Sequence, residues 1–332
     1  MSDVRREEPD FDTAALLDRV AADFAGDPAE PGIDDRRAAL DRMARLYGPP
    51  VDPAMPVEER TIAGPGGPIG LHIHGADGPA GRPILVNLHG GGWVLGGPDT
   101  YAGVMQAYQA AGDCVVVDVD YRRAPETRYP GALEDGLAAL AWTHANAETL
   151  GGDPARIVLT GDSAGGYLAA RAALATQVKL AGLVLVYPVL AVGHGHDLPS
   201  RRHLGDGRFF LELDAIMRAE TEFFDAGQQR DDPALSPLSA HPAALAALPR
   251  TMIVAASLDP LVDEARLFKE RLENAGCAVR WRLVEGTIHA FVLFSQAIRS
   301  GRDVIAEIGA FVSEAGATPT SGAGSRDLAA DR

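Results

Sequence analysis

One stretch of the chain limits the fold strongly, because an apolar strand, Arg156 to Thr160, runs through Gly-Asp-Ser-Ala-Gly straight into a helical stretch, Ala164 to Ala175. So short a connection leaves no room for side chains beside Ser163. Gly161 and Gly165 therefore let strand and helix approach each other, while the Ser163 hydroxyl stands exposed at the tip of the turn. The pattern Gly-x-Ser-x-Gly is also common by chance, so an ordinary strand-to-helix connection is the alternative interpretation.

Apolar strands alternate with helical stretches over most of the remaining chain. This alternation of β and α units indicates an α/β fold, in which a mostly parallel sheet carries helices on both faces. The segments predicted as strands are 61–63, 70–74, 83–88, 114–119, 156–160, 181–187, 251–256 and 278–284. The segments predicted as helices in this region are 136–150, 164–175, 261–275 and 295–313.

Residues 1–50 form a separate N-terminal piece that is polar and rich in Asp and Arg. Its apolar side chains recur at helical spacing, which predicts two amphipathic helices. These apolar positions are Leu16, Leu17 and Val20, then Leu40, Met43 and Leu46. Prolines at positions 49, 50, 53 and 56 forbid continuous regular structure, so the junction with the main body is expected there.

A second irregular segment, residues 194–233, interrupts the alternation with phenylalanines among charged residues on a largely helical stretch. Because it follows a core strand, it can fold over the carboxyl edge of the sheet. The core is then expected in two parts, residues 51–193 and 234–314. The tail, residues 315–332, has too little apolar content to pack and is predicted to be disordered.

Composition excludes several classes of partner. The 332 residues are 46% hydrophobic and 23% charged, which is enough to bury one large core. A formal net charge of -16 would repel phosphate groups, so nucleic acid is not an expected partner. The longest apolar run, residues 181–192, is too short to span a bilayer and contains Pro188. Cys114 and Cys277 lie in apolar runs, which favours reduced thiols over a disulfide. The N-terminus lacks the apolar segment of a signal peptide. Both observations lead us to expect a cytoplasmic protein.

A second motif, His89-Gly-Gly-Gly-Trp93, follows the strand that ends at Leu88. Three consecutive glycines are costly in backbone entropy, so they indicate a loop that bends sharply and presents bare amides. A tetrahedral acyl intermediate carries a negative oxygen that needs such N–H donors, and the amides of Gly90, Gly91 and Ala164 are the predicted ones. A phosphate-cradling loop or a merely flexible loop is the alternative.

A serine hydroxyl does not ionise at neutral pH, so Ser163 needs a base within hydrogen-bond reach and an acid that orients this base. His289 follows the last predicted strand and Asp259 follows the strand before it, so both side chains can reach the carboxyl edge of the sheet. Singly, each has a simpler interpretation, Asp259 as a helix cap and His289 as an ordinary loop histidine. Together, the order Ser163, Asp259, His289, each after a different parallel strand, is typical of a hydrolase triad.

Five motifs together resemble those of the hormone-sensitive-lipase-like esterases, over roughly residues 57–313. They are His89-Gly-Gly-Gly-Trp93, Tyr121-Arg-Arg-Ala-Pro-Glu126, Gly161-Asp-Ser-Ala-Gly-Gly166, Asp259-Pro-Leu261 and His289-Ala-Phe291. Arg123 departs from the pattern, because relatives often carry an apolar residue there.

This resemblance implies an α/β-hydrolase core, with a mostly parallel eight-stranded sheet flanked by helices. It implies a helical cap built from the N-terminal segment and from the insertion after the sixth strand. It also implies the roles of six residues: Ser163 as nucleophile, His289 as base, Asp259 as the acid that orients it, and Gly90, Gly91 and Ala164 as oxyanion donors.

The other residues of the motifs and of the insertion are predicted either to be structural or to line the substrate pocket. The turn from Tyr121 to Glu126 is predicted to pack under the active site, with Arg122 paired to an acid. Trp93, Phe209 and Phe210 are candidates for the substrate pocket. The cap phenylalanines, Phe209, Phe210, Phe223 and Phe224, either line an acyl pocket or form the cap's own small core.

A histidine-rich segment near the start of the insertion could be drawn as a metal cluster. His194, His196, Asp197 and His203 are spaced by flexible glycines and have no cysteine among them, which makes a poor ligand set. We therefore expect neither a metal nor an organic cofactor.

These features predict a serine carboxylesterase for short to medium acyl esters, with a small-molecule ester as its partner. Because His289 must be neutral to accept a proton, activity is expected to fall on acidification. Amidase, lactonase or deacetylase activity uses the same triad, and a small-ligand receptor without catalysis is a further alternative. A homodimer would form through the edge strand near residues 278–284.

Overall fold

The computed structural model describes residues 8–28, 30–193, 197–225, 227–228, 232 and 235–316. Eight strands form its sheet: β1 (Val57–Gly64), β2 (Gly67–His74), β3 (Arg82–Leu88), β4 (Val115–Asp120), β5 (Gly152–Asp162), β6 (Gly182–Val186), β7 (Thr251–Ala256) and β8 (Val279–Val284). Their order across the sheet is β1-β2-β4-β3-β5-β6-β7-β8. β1 and β2 pair with their neighbours in antiparallel fashion and the other six strands are parallel to one another. The predicted mostly parallel α/β sheet is confirmed.

Ten helices accompany the sheet in the described part of the chain. They are α1 (Phe11–Asp23), α2 (Ile33–Tyr47), α3 (Pro98–Gly112), α4 (Gly131–Asn146), α5 (Ala164–Ala175), α6 (Pro199–Leu204), α7 (Leu213–Phe223), α8 (Pro242–Leu245), α9 (Val262–Asn274) and α10 (Arg299–Ser313). α3 packs against α10 and α4 packs against α5. Every residue of β3, β6 and β7 is buried, as expected of parallel strands that are covered on both faces.

Helices α3, α4 and α10 differ most from the sequence predictions. α3 was absent from them, although Pro98 opens it and Tyr101, Val104, Met105 and Tyr108 give it a buried face at helical spacing. α4 begins five residues earlier than predicted, at Gly131. α10 begins at Arg299 rather than near residue 295, because the preceding backbone turns to donate two N–H groups, those of Gln296 and Ala297, to the Tyr47 carbonyl.

The two predicted N-terminal helices are present as α1 and α2. Leu16 is buried, and Asp10 caps α1 by accepting a hydrogen bond from the Thr13 N–H. Leu46 is instead 44% exposed, because Tyr47 takes the inward position and is completely buried. We use the name cap helices for α1, α2, α6 and α7.

Several other predictions can be located in the described residues. β8 is an edge strand, as predicted, while dimerisation through it stays a prediction. Cys114 and Cys277 are both free, but neither lies inside a strand: Cys114 directly precedes β4, and Cys277 is half-buried in the turn before β8. Ala315, which was assigned to the tail, is buried, and residues 317–332 lie outside the described residues. No helix of the described residues is long and apolar enough to cross a membrane.

Candidate active site

Ser163 lies in a strained turn between β5 and α5. Its backbone has φ 54° and ψ -119°, a conformation that non-glycine residues rarely adopt and that is found at functional sites. A Cβ on Gly165 would collide with the carbonyl oxygens of Leu88 and His89, and one on Gly161 would collide with the Gly165 backbone. Both glycines are therefore required for the close approach of strand and helix, as the sequence indicated.

The three candidate catalytic side chains form one hydrogen-bonded chain. Ser163 Oγ lies 2.8 Å from His289 Nε2, and His289 Nδ1 lies 2.7 Å from Asp259 Oδ2. Asp259 and His289 are 1% and 6% exposed, so these hydrogen bonds are shielded from water except at the serine end. With Nδ1–H donating to Asp259, the lone pair of Nε2 faces the Ser163 hydroxyl.

The carboxyl ends of three parallel strands bring these side chains together. Ser163 follows β5, Asp259 follows β7 and His289 follows β8, at the same edge of the sheet. Asp259 is not a helix cap, because α9 begins at Val262 with Leu261 as its N-cap and without a side-chain cap hydrogen bond. Its Oδ1 instead accepts a hydrogen bond from the Leu261 N–H at 2.9 Å, so one carboxylate oxygen holds the turn before α9 and the other holds His289.

The glycine loop differs from the prediction at one amide. The N–H of Gly90 donates to Asp162 Oδ1 at 2.8 Å, so it points away from the space above Ser163. The prediction of Gly90 as an oxyanion donor is therefore wrong. Gly91 and Gly92 line the cavity over Ser163, and neither of their N–H groups has an acceptor among the described residues. Ala164 is the first residue of α5, where an N–H has no partner within the helix.

His89, the first residue of the glycine motif, is a support rather than a candidate base. Its ring is fully buried, stacks on Tyr121 with centroids 4.2 Å apart, and has Nδ1 2.8 Å from the Gly90 carbonyl oxygen. Burial lowers its pKa to about 4, so the ring is neutral at physiological pH. Tyr121 in turn donates from its hydroxyl to the His89 carbonyl at 2.7 Å. The predicted packing of the Tyr121 turn beneath the site is observed.

Arg122, from the same turn, is paired as predicted, and its partner is Asp135 of α4. Two guanidinium nitrogens, Nε and Nη2, each lie 2.8 Å from one Asp135 oxygen, and the carboxylate also accepts the Arg122 N–H. Asp135 is fully buried, so the pair fixes the turn to α4. Neither residue lines the cavity over Ser163, so this contact is structural.

Asp162 and Tyr101 are site residues whose roles the sequence did not indicate. Asp162 is 7% exposed, and burial raises its pKa to about 6 although hydrogen bonds from Tyr101 and Gly90 oppose that rise. The Tyr101 hydroxyl donates to Asp162 Oδ2 at 2.9 Å from the first turn of α3. Predicting α3 would have placed Tyr101 near the glycine loop.

A cavity of about 290 Å³ opens above Ser163 between the core and the cap helices α2 and α7. Trp93 and Phe210 line it, as predicted, but Phe209 does not. Most of the other lining side chains are apolar and come from α2, the glycine loop, the segments after the strands, and α7 with the residues just before it: Leu40, Val94, Leu95, Val189, Leu211, Ala215, Ile216, Ala219, Leu261 and Leu293. Arg36, Glu212 and Arg218 supply charge.

The cap phenylalanines divide between the two interpretations left open. Phe210 lines the cavity and packs edge-on against Phe294, with centroids 5.3 Å apart. Phe223 is fully buried and stacks on Trp93, with centroids 4.6 Å apart and planes 6° from parallel. Phe223 and Phe224 therefore belong to a buried aromatic cluster that supports one wall of the cavity.

The histidine-rich segment is only partly described. Within the described ranges, no group of three or more His, Cys, Asp or Glu side chains is arranged to hold a metal ion. His194 and His196 lie outside the described residues, so the expectation about them stays a prediction.

Comparisons with known proteins agree with this geometry. A family model described as alpha/beta hydrolase fold matches residues 85–293. Carboxylesterase NlhH of Mycobacterium tuberculosis is 36% identical over 299 residues, which cover 86% of this chain and 90% of that protein. An arylesterase of Saccharolobus solfataricus is 31% identical over 236 residues, covering 70% of this chain and 74% of that one.

Solved structures show the same similarity. The hyperthermophilic esterase from the archaeon Pyrobaculum calidifontis is 29% identical and superimposes with a TM-score of 0.83, over 92% of this chain and 98% of that chain. The family match spans both parts of the core, and the relatives align over most of their lengths. The chain belongs to the hormone-sensitive-lipase-like esterases of the α/β-hydrolase superfamily.

Proposed function

We propose that this serine carboxylesterase hydrolyses short to medium acyl esters through Ser163, His289 and Asp259. The observation that carries the proposal is the continuous hydrogen-bonded chain from Ser163 Oγ through His289 to Asp259, with links of 2.8 and 2.7 Å. Family membership supports it, since NlhH is named a carboxylesterase and the Pyrobaculum protein an esterase.

In the first half-reaction, Ser163 Oγ attacks the ester carbonyl carbon while His289 Nε2 takes the hydroxyl proton. Asp259 keeps Nδ1 protonated and stabilises the imidazolium that forms. The negative oxygen of the tetrahedral intermediate is bound by the free N–H groups of Gly91, Gly92 and Ala164. His289 then gives its proton to the leaving alcohol, and the acyl group stays on Ser163.

The second half-reaction repeats these steps with water. His289 takes a proton from a water molecule, the resulting hydroxide attacks the acyl carbon, and the same three amides hold the new oxyanion. Collapse of this intermediate returns the proton to Ser163 Oγ and releases the carboxylic acid.

The size of the cavity supports small substrates. At about 290 Å³ it lies at the lower end of ordinary ligand pockets, and its lining is mainly aliphatic and aromatic. Trp93 lines the cavity and stacks on Phe223, which supports this apolar wall. We expect acetyl to hexanoyl esters to react faster than dodecanoyl esters in a rate series over acyl length.

Ser163→Ala tests the proposal directly. It should lower kcat for p-nitrophenyl butyrate by at least about 10⁴-fold in a folded protein, because the nucleophile is lost. A fluorophosphonate probe should label the wild-type protein and leave the variant unlabelled. Ser239→Ala is a matched control, since Ser239 is exposed in a 3-10 turn, and it should keep full activity and labelling. Turnover retained by Ser163→Ala would refute the assignment.

A further inference from the structure

Asp162, the residue before the proposed nucleophile, uses both carboxylate oxygens on groups outside the Ser163–His289–Asp259 chain. Oδ1 accepts the Gly90 N–H at 2.8 Å and Oδ2 accepts the Tyr101 hydroxyl at 2.9 Å. His289 Nδ1 is already bonded to Asp259. Asp162 therefore does not compete for the base, and its contacts lead to the glycine loop and to α3.

The contact with Gly90 controls the direction of the following amides. A peptide unit is planar, so fixing the Gly90 N–H leaves only the backbone dihedrals of the glycines to set where the Gly91 and Gly92 N–H groups point. Glycine loops have much conformational freedom, which must be restricted before amides can act as fixed oxyanion donors. Gly91 and Gly92 have φ values of 111° and 62°, and a hydrogen bond next to them limits that freedom.

The fit around this contact is tight. A Cβ on Gly90 would lie 2.5 Å from Asp162 Oδ2 and 2.7 Å from the Tyr101 hydroxyl oxygen, so a side chain there would push the carboxylate away. Tyr101 and Asp162 are 4% and 7% exposed, so water does not replace their hydrogen bonds. The glycine loop, the turn at Ser163 and α3 thus meet at one buried carboxylate.

We infer that Asp162 is a positioning residue for the oxyanion hole, which holds the glycine loop in register with Ser163 so that the Gly91 and Gly92 amides face the developing negative charge. This inference rests on the proposed esterase function. Asp162 touches no reacting atom, so its effect should appear in transition-state binding and little in substrate binding.

Asp162→Ala and Asp162→Asn separate this role from simple stability. Alanine removes both acceptors, whereas asparagine keeps Oδ1 for the Gly90 N–H. Asp162→Ala should lower kcat by about 10- to 10³-fold with KM changed less than about 3-fold, which extends up to the loss of about 10²- to 10³-fold seen when an oxyanion donor is removed outright. Asp162→Asn should recover to within about 10-fold of the wild-type kcat.

Affinity for a tetrahedral adduct gives the readout that a purely structural role would not move. An aryl trifluoromethyl ketone bonds its carbonyl carbon to Ser163 Oγ and creates an oxyanion, while the matching methyl ketone binds without forming the adduct. Asp162→Ala should weaken the first by the same factor as kcat and leave the second nearly unchanged. Equal loss for both ketones, or a kcat within 3-fold of wild type, would overturn the inference.

Tyr101→Phe covers the case in which Asp162→Ala fails to fold. It removes one support of the carboxylate and keeps the Gly90 contact, so kcat and trifluoromethyl ketone affinity should fall together by about 3- to 10-fold at constant KM. An unchanged kcat in this variant, or an Asp162→Asn variant as slow as Asp162→Ala, would also count against the positioning role. Fluorophosphonate labelling of the wild-type protein tests the esterase proposal separately, so the two failures can be distinguished.

Discussion

Arg201 should be among the most destabilising single residues to replace, because it pairs two buried carboxylates. Arg201 of α6, Glu220 of α7 and Glu264 of α9 are all 0% exposed. Arg201 Nη2 lies 2.7 Å from Glu264 Oε2, and Nη1 lies 3.5 Å from Glu220 Oε1. Nη2 also donates to the Ala191 carbonyl at 2.7 Å. Arg201→Met keeps the length and apolar stem of the side chain and removes its charge.

The expected cost is about 3–5 kcal/mol of unfolding free energy at pH 8, because a buried ion pair that loses one partner leaves uncompensated charge. For a chain of this size that corresponds to a fall in Tm of roughly 4–7 °C. Arg201→Met should also disturb the wall of the active-site cavity. Glu264 Oε1 accepts the Leu190 N–H at 2.7 Å, and the neighbouring Val189 lines the cavity.

The pH dependence follows from Glu264. Burial raises its pKa from 4.5 to about 7, while Arg201 and the Leu190 N–H oppose this rise. A carboxyl whose folded pKa is raised gives a stabilising contribution that is present below about pH 4.5 and is lost as pH rises through about 7. Removing Arg201 raises the folded pKa further, so Arg201→Met should cost less at pH 5 than at pH 8.

Urea unfolding of the wild-type protein and of Arg201→Met at pH 5 and pH 8 measures both effects. Arg60→Met is the control, since Arg60 pairs with Glu58 on the surface with both side chains about 40% exposed, and such pairs are worth at most about 1 kcal/mol. A loss below about 1 kcal/mol at pH 8, or a larger loss at pH 5 than at pH 8, would show that Arg201 does not hold this network together.

Two further substitutions test the fold beneath the site. Gly165→Ala should abolish fluorophosphonate labelling and lower Tm, because its Cβ would collide with the Leu88 carbonyl oxygen. Labelling at the wild-type rate would contradict the close approach of strand and helix at Ser163. Asp118→Asn should stabilise the protein by about 1–2 kcal/mol in urea unfolding at pH 8 and by much less at pH 4. Burial raises the pKa of Asp118 to about 7, so the folded state carries the cost of a buried charge only at the higher pH, while the asparagine leaves a buried N–H donor unpaired. Equal effects at the two pH values would be the contrary result.

Much of the fold follows from local patterns in the sequence. The buried strands could be predicted because runs such as Thr251 to Ala256 are short, apolar and bounded by turn residues, and this strand matched residue for residue. Helix α3 could not be identified in the same way, since glycines at both ends and within it weaken its helical propensity. Its buried face becomes clear only from the spacing of Tyr101, Val104, Met105 and Tyr108.

The triad could be predicted because its side chains differ in kind and each follows a separate strand. Histidines and acidic residues are few in the loops that directly follow the strands. Residue type and chain order together therefore predict His289 and Asp259. The orientations of the cap side chains could not be predicted in this way. Phe209 and Phe210 are adjacent and chemically identical, yet only Phe210 lines the cavity. The backbone at Phe210 also takes a positive φ of 79°, which no local pattern indicates.

The wrong prediction for Gly90 concerns which amides of the glycine loop face the substrate. Three consecutive glycines offer three similar N–H groups, and nothing in the loop itself tells which of them faces the substrate. The carboxylate of Asp162, however, directly precedes a nucleophile on a buried turn, and a buried carboxylate must find hydrogen-bond donors. Because Gly90 donates its N–H to this carboxylate, the next two glycine amides are left for the oxyanion. A polar group that a mechanism does not use can therefore decide which groups the mechanism does use.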